Sequence, residues 1–147
     1  MEKRLVRDWM TPNPITVNSR TPLPDAHQIM MTHRIRRLPV VDDGVLVGIV
    51  TRGDIRGAQP SEATSLSIYE IHYLLSRLTV GQIMSRPVIT VAPDMTVQAA
   101  AALMLQHKIA GLPVVEDGRV VGIITESDIF RMVAQAWVEE KEPMEWR

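Results

Sequence analysis

The sequence repeats itself once. Residues 10–56 align without a gap on residues 84–130, a shift of 74 positions, and 20 of the 47 paired residues are identical. A repeat that occurs only twice does not build an open solenoid, which needs about three or more units to bury a continuous core. Two copies instead predict a closed pair related by a pseudo-two-fold axis, with equivalent clefts where the copies meet. Clefts of this kind are typical of a binding module.

Composition excludes several classes of protein. The chain has 147 residues, a net charge of −1 and no cysteine. It therefore gives no support for a nucleic-acid or anionic-membrane partner, and disulfides, thiolate zinc sites and a cysteine nucleophile are excluded. Each repeat has only about 50 residues, a size at which an isolated core is marginal, so we expect the copies to share core residues. The sequence begins without the apolar run of a signal peptide and has no stretch of membrane-spanning length, so we expect a cytoplasmic protein.

The residue pattern of each copy predicts the element order β-α-β-β-α. A short leading segment precedes these elements, residues 6–9 in the first copy and 80–83 in the second. A short strand, residues 15–17 in the first copy, precedes apolar residues at helical spacing. Two further strands then flank Asp43-Gly44, and a final helix follows. Aspartate and glycine between two β-branched runs are a strong hairpin signal, and Asp117-Gly118 repeats it.

The repeats define the predicted boundaries along the chain. Between them, Ser67 and Glu70 have the spacing of a capping box, and an apolar stripe at helical spacing follows. We expect a connecting helix that either packs on the pair or forms a dimerisation surface. Trp137 and Trp146 lie near the C-terminus, and the sequence leaves their role open. The predicted segments are repeat 1 over residues 1–58, the connecting segment with its helix over 59–77, repeat 2 over 78–133 and a C-terminal extension over 134–147.

A threonine followed three residues later by an aspartate ends the third strand of each copy: Thr51 with Asp54, and Thr125 with Asp128. At a strand-to-helix junction this spacing places both side chains on one side of the first helical turn. An ionised aspartate only accepts hydrogen bonds, so it can take both hydroxyls of a ribose, and a threonine hydroxyl suits a phosphate or ribose oxygen. Alternatively, the threonines are helix N-caps and the aspartates occupy favourable first-turn positions without binding a ligand.

The motifs occur in the order methionine with threonine or serine, Ile-Thr-Val, helix, Leu-Pro-Val-Val, Asp-Gly, and Gly-Ile-Val/Ile-Thr-x-x-Asp. In this order they resemble the cystathionine-β-synthase (CBS) domain, and the tandem arrangement resembles a CBS pair, or Bateman module. The connecting residues 65–80 are similar to those of small stand-alone bacterial CBS-pair proteins related to the acetoin-utilisation regulator, without its C-terminal regulatory domain. The resemblance implies an α/β (α+β) fold in which two β-α-β-β-α repeats pack through their sheets, and a homodimer with four repeats in a disc.

The resemblance also implies how two ligand clefts are assembled. In CBS pairs one repeat supplies the ribose aspartate and the phosphate-facing residues, and the other repeat packs on the base. The first cleft is predicted to contain Thr51, Asp54, Arg36, Arg37, Ile109, Ala110, Ser85, Pro87 and Val88. The second cleft is predicted to contain Thr125, Ser127, Asp128, Ile35, Arg36, Thr11, Pro12 and Pro14.

The two clefts are predicted to differ in charge. Arg36-Arg37 in the first repeat corresponds to Ala110-Gly111 in the second. An arginine pair neutralises phosphate and binds it in bidentate fashion, whereas alanine and glycine do neither. We therefore expect the Thr51 cleft to bind a phosphorylated nucleoside better, and the Thr125 cleft to be weak, empty or suited to a less charged adenosyl compound. The alternative is that the arginines form a solvated basic helix end.

Together these features predict a non-catalytic energy or metabolite sensor. The expected regulatory ligand is an adenine nucleotide (AMP, ADP or ATP), with no required cofactor, no metal site and a separate effector protein. The four histidines lack metal-ligand spacing, and the sequence has no nucleophile elbow, phosphate loop or dinucleotide fingerprint. Two alternatives stay open: a structural or dimerisation module with vestigial clefts, and a binder of S-adenosylmethionine, a dinucleotide or a metal ion.

Overall fold

The computed structural model describes residues 3–61 and 65–140, with the side chains of the last helix described as far as residue 136. Trp146 and the side chain of Trp137 lie outside the described residues. The mixture of helices and short sheets is the predicted α+β fold class. In chain order the elements are α1 (Val6–Trp9), β1 (Thr11–Pro12), α2 (Leu23–His33), β2 (Arg37–Asp42), β3 (Val45–Thr51), α3 (Arg52–Gly57), α4 (Ile68–Ser76), α5 (Val80–Ile83), α6 (Val97–His107), β4 (Gly111–Glu116), β5 (Arg119–Thr125) and α7 (Glu126–Glu140).

The chain forms two compact units, and each contains parts of both sequence repeats. The central unit is residues 15–88, and the terminal unit consists of the described residues within 1–14 and 89–147. In the terminal unit, the Val6 N–H of α1 donates to the Met95 carbonyl of the second repeat at 2.8 Å. In the central unit, the Val80 N–H of α5 donates to the Thr21 carbonyl of the first repeat at 2.9 Å. The predicted boundaries follow the repeats, whereas the compact units exchange the two leading segments.

Each unit has a buried hydrophobic cluster, to which the exchanged helix contributes. Val6 and Trp9 of α1 pack with second-repeat residues such as Leu112. Val80 of α5 packs with first-repeat residues such as Leu38. Complete burial of one valine or leucine side chain contributes about 1.5–3 kcal/mol, so these contacts anchor the leading helices. The expected sharing of core residues between the copies takes the form of this exchange.

The same antiparallel hairpin lies at the centre of both units. β2 pairs with β3, and β4 pairs with β5. The two pairings have the same register, so that Arg37 lies opposite Thr51 and Gly111 lies opposite Thr125. Both residues of each Asp-Gly turn have positive φ, which is the geometry that the sequence predicted. The exchanged segments extend these hairpins, since β1 pairs with β5 and Ser85 forms the equivalent bridge to β3.

The predicted first strands, residues 15–17 and 89–91, are shorter than expected. Each is reduced to a single parallel bridge, at Val17 and at Val91. The Val17 N–H donates to the Pro39 carbonyl at 3.1 Å. Extension of this ladder toward residue 15 would require an N–H on Pro39, which proline lacks. The proline of the Leu-Pro-Val-Val motif therefore limits the pairing that the sequence pattern predicted.

The predicted connecting helix is confirmed as α4. The Ser67 hydroxyl accepts from the Glu70 N–H at 3.1 Å, and Oε1 of Glu70 accepts from the Ser67 N–H at 3.0 Å. The hydrogen bond from the Ser67 N–H, and after it the nearby Ser67 hydroxyl, lower the pKa of the Glu70 carboxyl. Tyr69 and Tyr73 on this helix are exposed.

Candidate functional site

In the central unit, β3 ends at Thr51 and α3 begins at the next residue. The Thr51 hydroxyl accepts from the Asp54 N–H at 3.0 Å, and Oδ2 of Asp54 accepts from the Thr51 N–H at 2.9 Å. The N-cap interpretation is thus confirmed for Thr51, and ligand contact stays a prediction for both residues. Within the described residues, Oδ1 of the half-buried Asp54 has no hydrogen-bond or ion-pair partner. This oxygen is therefore able to accept a further hydrogen bond.

A cavity of about 380 Å³ opens beside this junction. Its volume lies within the range of about 300–1,000 Å³ that is usual for small-molecule sites. Arg37 lies opposite Thr51 in the β2–β3 register, and the Arg52 N–H donates to the Arg36 carbonyl at 2.9 Å. The structure thus brings together three predicted site residues, Arg36, Arg37 and Thr51. The cavity is lined by Arg36, Arg37, Thr51, Arg52, Gly53 and Arg56.

Two of the four arginines at this cavity, Arg52 and Arg56, were not predicted from the sequence. They are four residues apart on α3, a spacing that places side chains on one face of a helix. This spacing next to Thr51 was the signal that could have identified them. Four guanidinium groups along one cavity give it a positive potential that attracts anions.

The equivalent junction in the terminal unit is built differently. Oδ2 of Asp128 accepts from the Thr125 N–H at 2.8 Å and from the Thr125 hydroxyl at 3.2 Å. Oδ1 of Asp128 lies 3.2 Å from Nη1 of Arg131, and Asp128 is only 4% exposed. The difference in charge between the junctions extends beyond the predicted arginine pair. The residues aligned with the four cavity arginines are Ala110, Gly111, Glu126 and Phe130.

The predicted segment that precedes the first strand of the second repeat lies in the same unit as Thr51. The Ser85 N–H donates to the Ile49 carbonyl at 2.8 Å, two residues before Thr51 on β3. Pro87 and Val88 follow within the central unit. One unit thus contains first-cleft residues from both repeats.

The remaining predicted site residues divide between the units. Ile35 and Arg36 belong to the central unit, so their role beside Asp128 stays a prediction. Ile109 and Ala110 belong to the terminal unit, so their role beside Asp54 stays a prediction as well. The predicted second-cleft residues that lie in the terminal unit are Thr11, Pro12, Pro14, Thr125, Ser127 and Asp128.

Among residues 3–61 and 65–140, no group of three or more histidine, cysteine, aspartate or glutamate side chains is placed to hold a metal ion. None of the described helices combines the length and the apolar character needed to cross a membrane.

The model of the CBS domain family matches residues 6–61 and 80–135, one match for each repeat. These matches cover most of the chain. This protein belongs to the CBS domain family. The resemblance inferred from the motif order is thereby confirmed, and the two repeats constitute a CBS pair.

Solved CBS pairs are similar to this chain over most of their length. The CBS domain pair of protein MJ0100, in complex with 5′-methylthioadenosine and S-adenosyl-L-methionine, is 37% identical, with a TM-score of 0.74 over 90% of this chain and 97% of that one. AcuB from Vibrio cholerae is 34% identical, with a TM-score of 0.75 over 96% and 97%. CBSX2 from Arabidopsis thaliana, in complex with AMP, is 31% identical, with a TM-score of 0.74 over 90% and 98%.

The curated relatives include one much longer chain and one of similar length. The L-aspartate semialdehyde sulfurtransferase of Methanocaldococcus jannaschii is 38% identical over 130 residues, which are 87% of this chain but 23% of that enzyme. This chain therefore spans about a quarter of the length of that relative. The CBS domain-containing protein YhcV of Bacillus subtilis is 30% identical over 124 residues, which are 84% of this chain and 81% of YhcV.

Proposed function

We propose that this CBS pair is a non-catalytic regulatory module that binds an adenine nucleotide beside Thr51 and Asp54 and acts as an energy or metabolite sensor. The observation that carries the proposal is the arrangement of four arginines around the cavity at this junction. Support comes from the solved relatives, one of which is in complex with AMP and another with two adenosyl compounds.

Two groups at the junction match the two polar parts of a nucleotide. Oδ1 of Asp54 accepts a hydrogen bond from a ribose hydroxyl, while Oδ2 stays bonded to the Thr51 N–H. The arginines donate to the phosphate, for which the planar guanidinium is suited because it binds in bidentate fashion. Thr51 also lines the cavity, and its hydroxyl, which accepts from the Asp54 N–H, keeps a hydrogen to donate to a ligand oxygen.

Charge decides between the adenosyl ligands. AMP, ADP and ATP carry increasing negative charge, and four arginines stabilise such anions in one cavity. S-adenosylmethionine carries a sulfonium and an ammonium group, which the same arginines repel. We therefore expect the central unit to prefer AMP, ADP or ATP over S-adenosylmethionine.

Binding is proposed to regulate through a change in the populations of two arrangements of the protein. A ligand shifts such an equilibrium only when its affinity for the two arrangements differs. The module acts in the cytoplasm, where it transmits the shift to a separate effector protein.

We also propose that two chains associate as a homodimer. On the terminal unit, Leu105, Phe130 and Val133 are 81%, 68% and 54% exposed. Phe130 and Val133 are three residues apart on α7 and so lie on one face of this helix, and exposed apolar surface favours association. Sedimentation equilibrium at micromolar concentration measures this directly, and a monomer would contradict the dimer.

The nucleotide proposal is tested by thermal unfolding with AMP, ADP, ATP, S-adenosylmethionine and NADH, each at millimolar concentration. A ligand at 100 times its Kd adds about 2.7 kcal/mol to the free energy of unfolding, which raises the Tm of a chain of this size by several degrees. We expect such a shift with adenine nucleotides in the wild type. It should disappear in Asp54→Asn and persist in Asp128→Asn, which is the matched control because it changes the equivalent residue of the other repeat.

The other outcomes separate the alternatives. Equal loss of the shift in both variants would contradict the assignment to the central unit. A shift with S-adenosylmethionine alone would contradict the charge argument. No shift with any of the five compounds would contradict nucleotide binding and favour a structural or dimerisation module with vestigial clefts.

A further inference from the structure

We infer that Arg131 is an internal counter-ion that occupies the Asp128 carboxylate and keeps the terminal unit's junction closed to a ribose. The inference rests on the proposed function, because it assigns to Asp128 the same ribose chemistry as to Asp54. Arg131 thus adds a second difference between the two junctions, beside the absence of the cavity arginines in the second repeat.

Three contacts hold the Arg131 side chain in place. Nη1 lies 3.2 Å from Oδ1 of Asp128, and Nη2 donates to the Trp9 carbonyl at 3.1 Å. The guanidinium carbon also lies 5.6 Å from the centroid of the Trp9 ring, within the range of a cation–π interaction. Although the Arg131 side chain is 58% exposed, its charged end is thus fixed between α7 and the exchanged helix α1.

Three of the roughly four acceptor positions of the Asp128 carboxylate are occupied from within the unit. Oδ2 accepts from both the N–H and the hydroxyl of Thr125, and Oδ1 faces Arg131. The side chain is 6% exposed, and a buried carboxylate is costly unless a partner compensates its charge. A ribose hydroxyl therefore competes with Arg131 for this buried oxygen.

The central unit has no arginine at the position aligned with Arg131. The residue three positions after Asp54 is Gly57, which has no side chain, and Ile83 replaces Trp9. Oδ1 of Asp54 accordingly has no partner within the described residues. Two junctions with the same threonine and aspartate thus differ in whether the carboxylate is available.

The first experiment measures binding of 5′-methylthioadenosine by isothermal titration calorimetry in an Asp54→Asn background. This probe has a ribose and no phosphate, so its binding does not require the arginines. We expect Arg131→Met to raise the affinity about tenfold or more, which corresponds to one hydrogen bond to a charged group. Methionine keeps an apolar stem against Trp9 and removes the charge. Adding Asp128→Asn should abolish the gain, and an unchanged affinity in Arg131→Met would overturn the inference.

A second variant decides the question if Arg131→Met does not fold, as judged by circular dichroism. A Cβ atom on Gly57 would meet no heavy atom within 4 Å, so the structure has room for Gly57→Arg. We expect this substitution to lower the affinity of the otherwise wild-type chain for 5′-methylthioadenosine several-fold relative to Gly57→Met. Equal affinities of these two variants would overturn the inference.

Failure of the inference and failure of the proposed function give different results. If the wild type binds neither adenine nucleotides nor 5′-methylthioadenosine, the proposed function is wrong. The role of Arg131 alone is wrong if the wild type binds them through Asp54 but neither Arg131→Met nor Gly57→Arg changes the affinity for 5′-methylthioadenosine.

Discussion

The sulfur of Met84 occupies the space in which a Cβ atom on Gly48 would lie. Met10 has the same relationship to Gly122 in the terminal unit. Each methionine directly follows a leading helix. Each glycine lies on the second strand of the other repeat's hairpin, Gly48 on β3 and Gly122 on β5. The absence of a side chain at these glycines therefore allows the exchanged segment to lie against the sheet.

We predict that Gly122→Ala destabilises the protein by about 1–3 kcal/mol, the usual cost of inserting a methyl group into a packed site. Gly48→Ala should cost less, because the three heavy atoms nearest to its Cβ position all belong to the flexible Met84 side chain. At Gly122 the Thr11 carbonyl also lies 3.0 Å from the Cβ position, and backbone moves less easily. Urea denaturation measures both variants.

Gly57→Ala is the matched control for these substitutions, since the space around Gly57 is open. We expect it to leave stability unchanged or to raise it by up to about 1 kcal/mol, because alanine favours the helix. Equal unfolding midpoints for Gly122→Ala and Gly57→Ala would contradict the close approach of the leading segment.

The arginines at the central cavity should determine the preference for phosphate. We expect the double substitution Arg36→Gln with Arg37→Gln to lower the affinity for ATP about tenfold or more, and the affinity for adenosine little. The loss of ATP affinity on raising the salt concentration should also become smaller, since fewer charges attract the ligand. Calorimetric titrations with both ligands test this.

Arg34→Gln provides the control for charge, because Arg34 is exposed at the end of α2 and does not line the cavity. It should change ATP affinity much less than the double substitution. Similar losses in both cases would indicate that only the net charge of the surface matters.

A pH dependence is expected from Asp42. The Ser19 hydroxyl and then the Ser19 N–H, which donate to this carboxylate at 2.6 and 2.9 Å, lower its pKa below the ordinary value of 3.8. Because the pKa is lower in the folded state, the resulting stability is complete above pH 4 or so and disappears as the pH falls through the folded-state pKa. The difference in urea midpoint between wild type and Asp42→Asn should therefore be present at pH 7 and shrink in acid.

Glu116→Gln serves as the control for this prediction. Glu116 is aligned with Asp42, but Pro93 takes the place of Ser19 and has neither a hydroxyl nor an N–H. The urea midpoints of wild type and Asp42→Asn should therefore converge in acid. If their difference stayed constant from pH 7 down to strongly acidic conditions, it would be inconsistent with stabilisation of the ionised carboxylate by Ser19.

The hairpins and helices were predictable because local chemistry determines them. Asp43 and Gly44 adopt the positive φ angles of a tight turn, and Ser67 caps α4 as its spacing with Glu70 predicts. The exchange of leading segments was not predictable in this way. Residues 6–9 and 80–83 have similar apolar patterns, and either pattern would fit either core.

The candidate site was predictable only where the repeats differ in an obvious way. Arg36 and Arg37 stand out against alanine and glycine in the other copy. Arg52 and Arg56 required knowledge of which face of α3 meets the cavity. The role of Arg131 depends on Trp9, which lies 122 residues away in the chain, and no local spacing indicates such a contact.

The most direct test of the central claim is a crystal structure of the full chain grown with ATP. The proposed function predicts a ribose hydroxyl within hydrogen-bond distance of Asp54 and phosphate oxygens on the arginines that line the central cavity. A nucleotide bound at Asp128 with the central cavity empty, or bound without contact to Asp54, would contradict it.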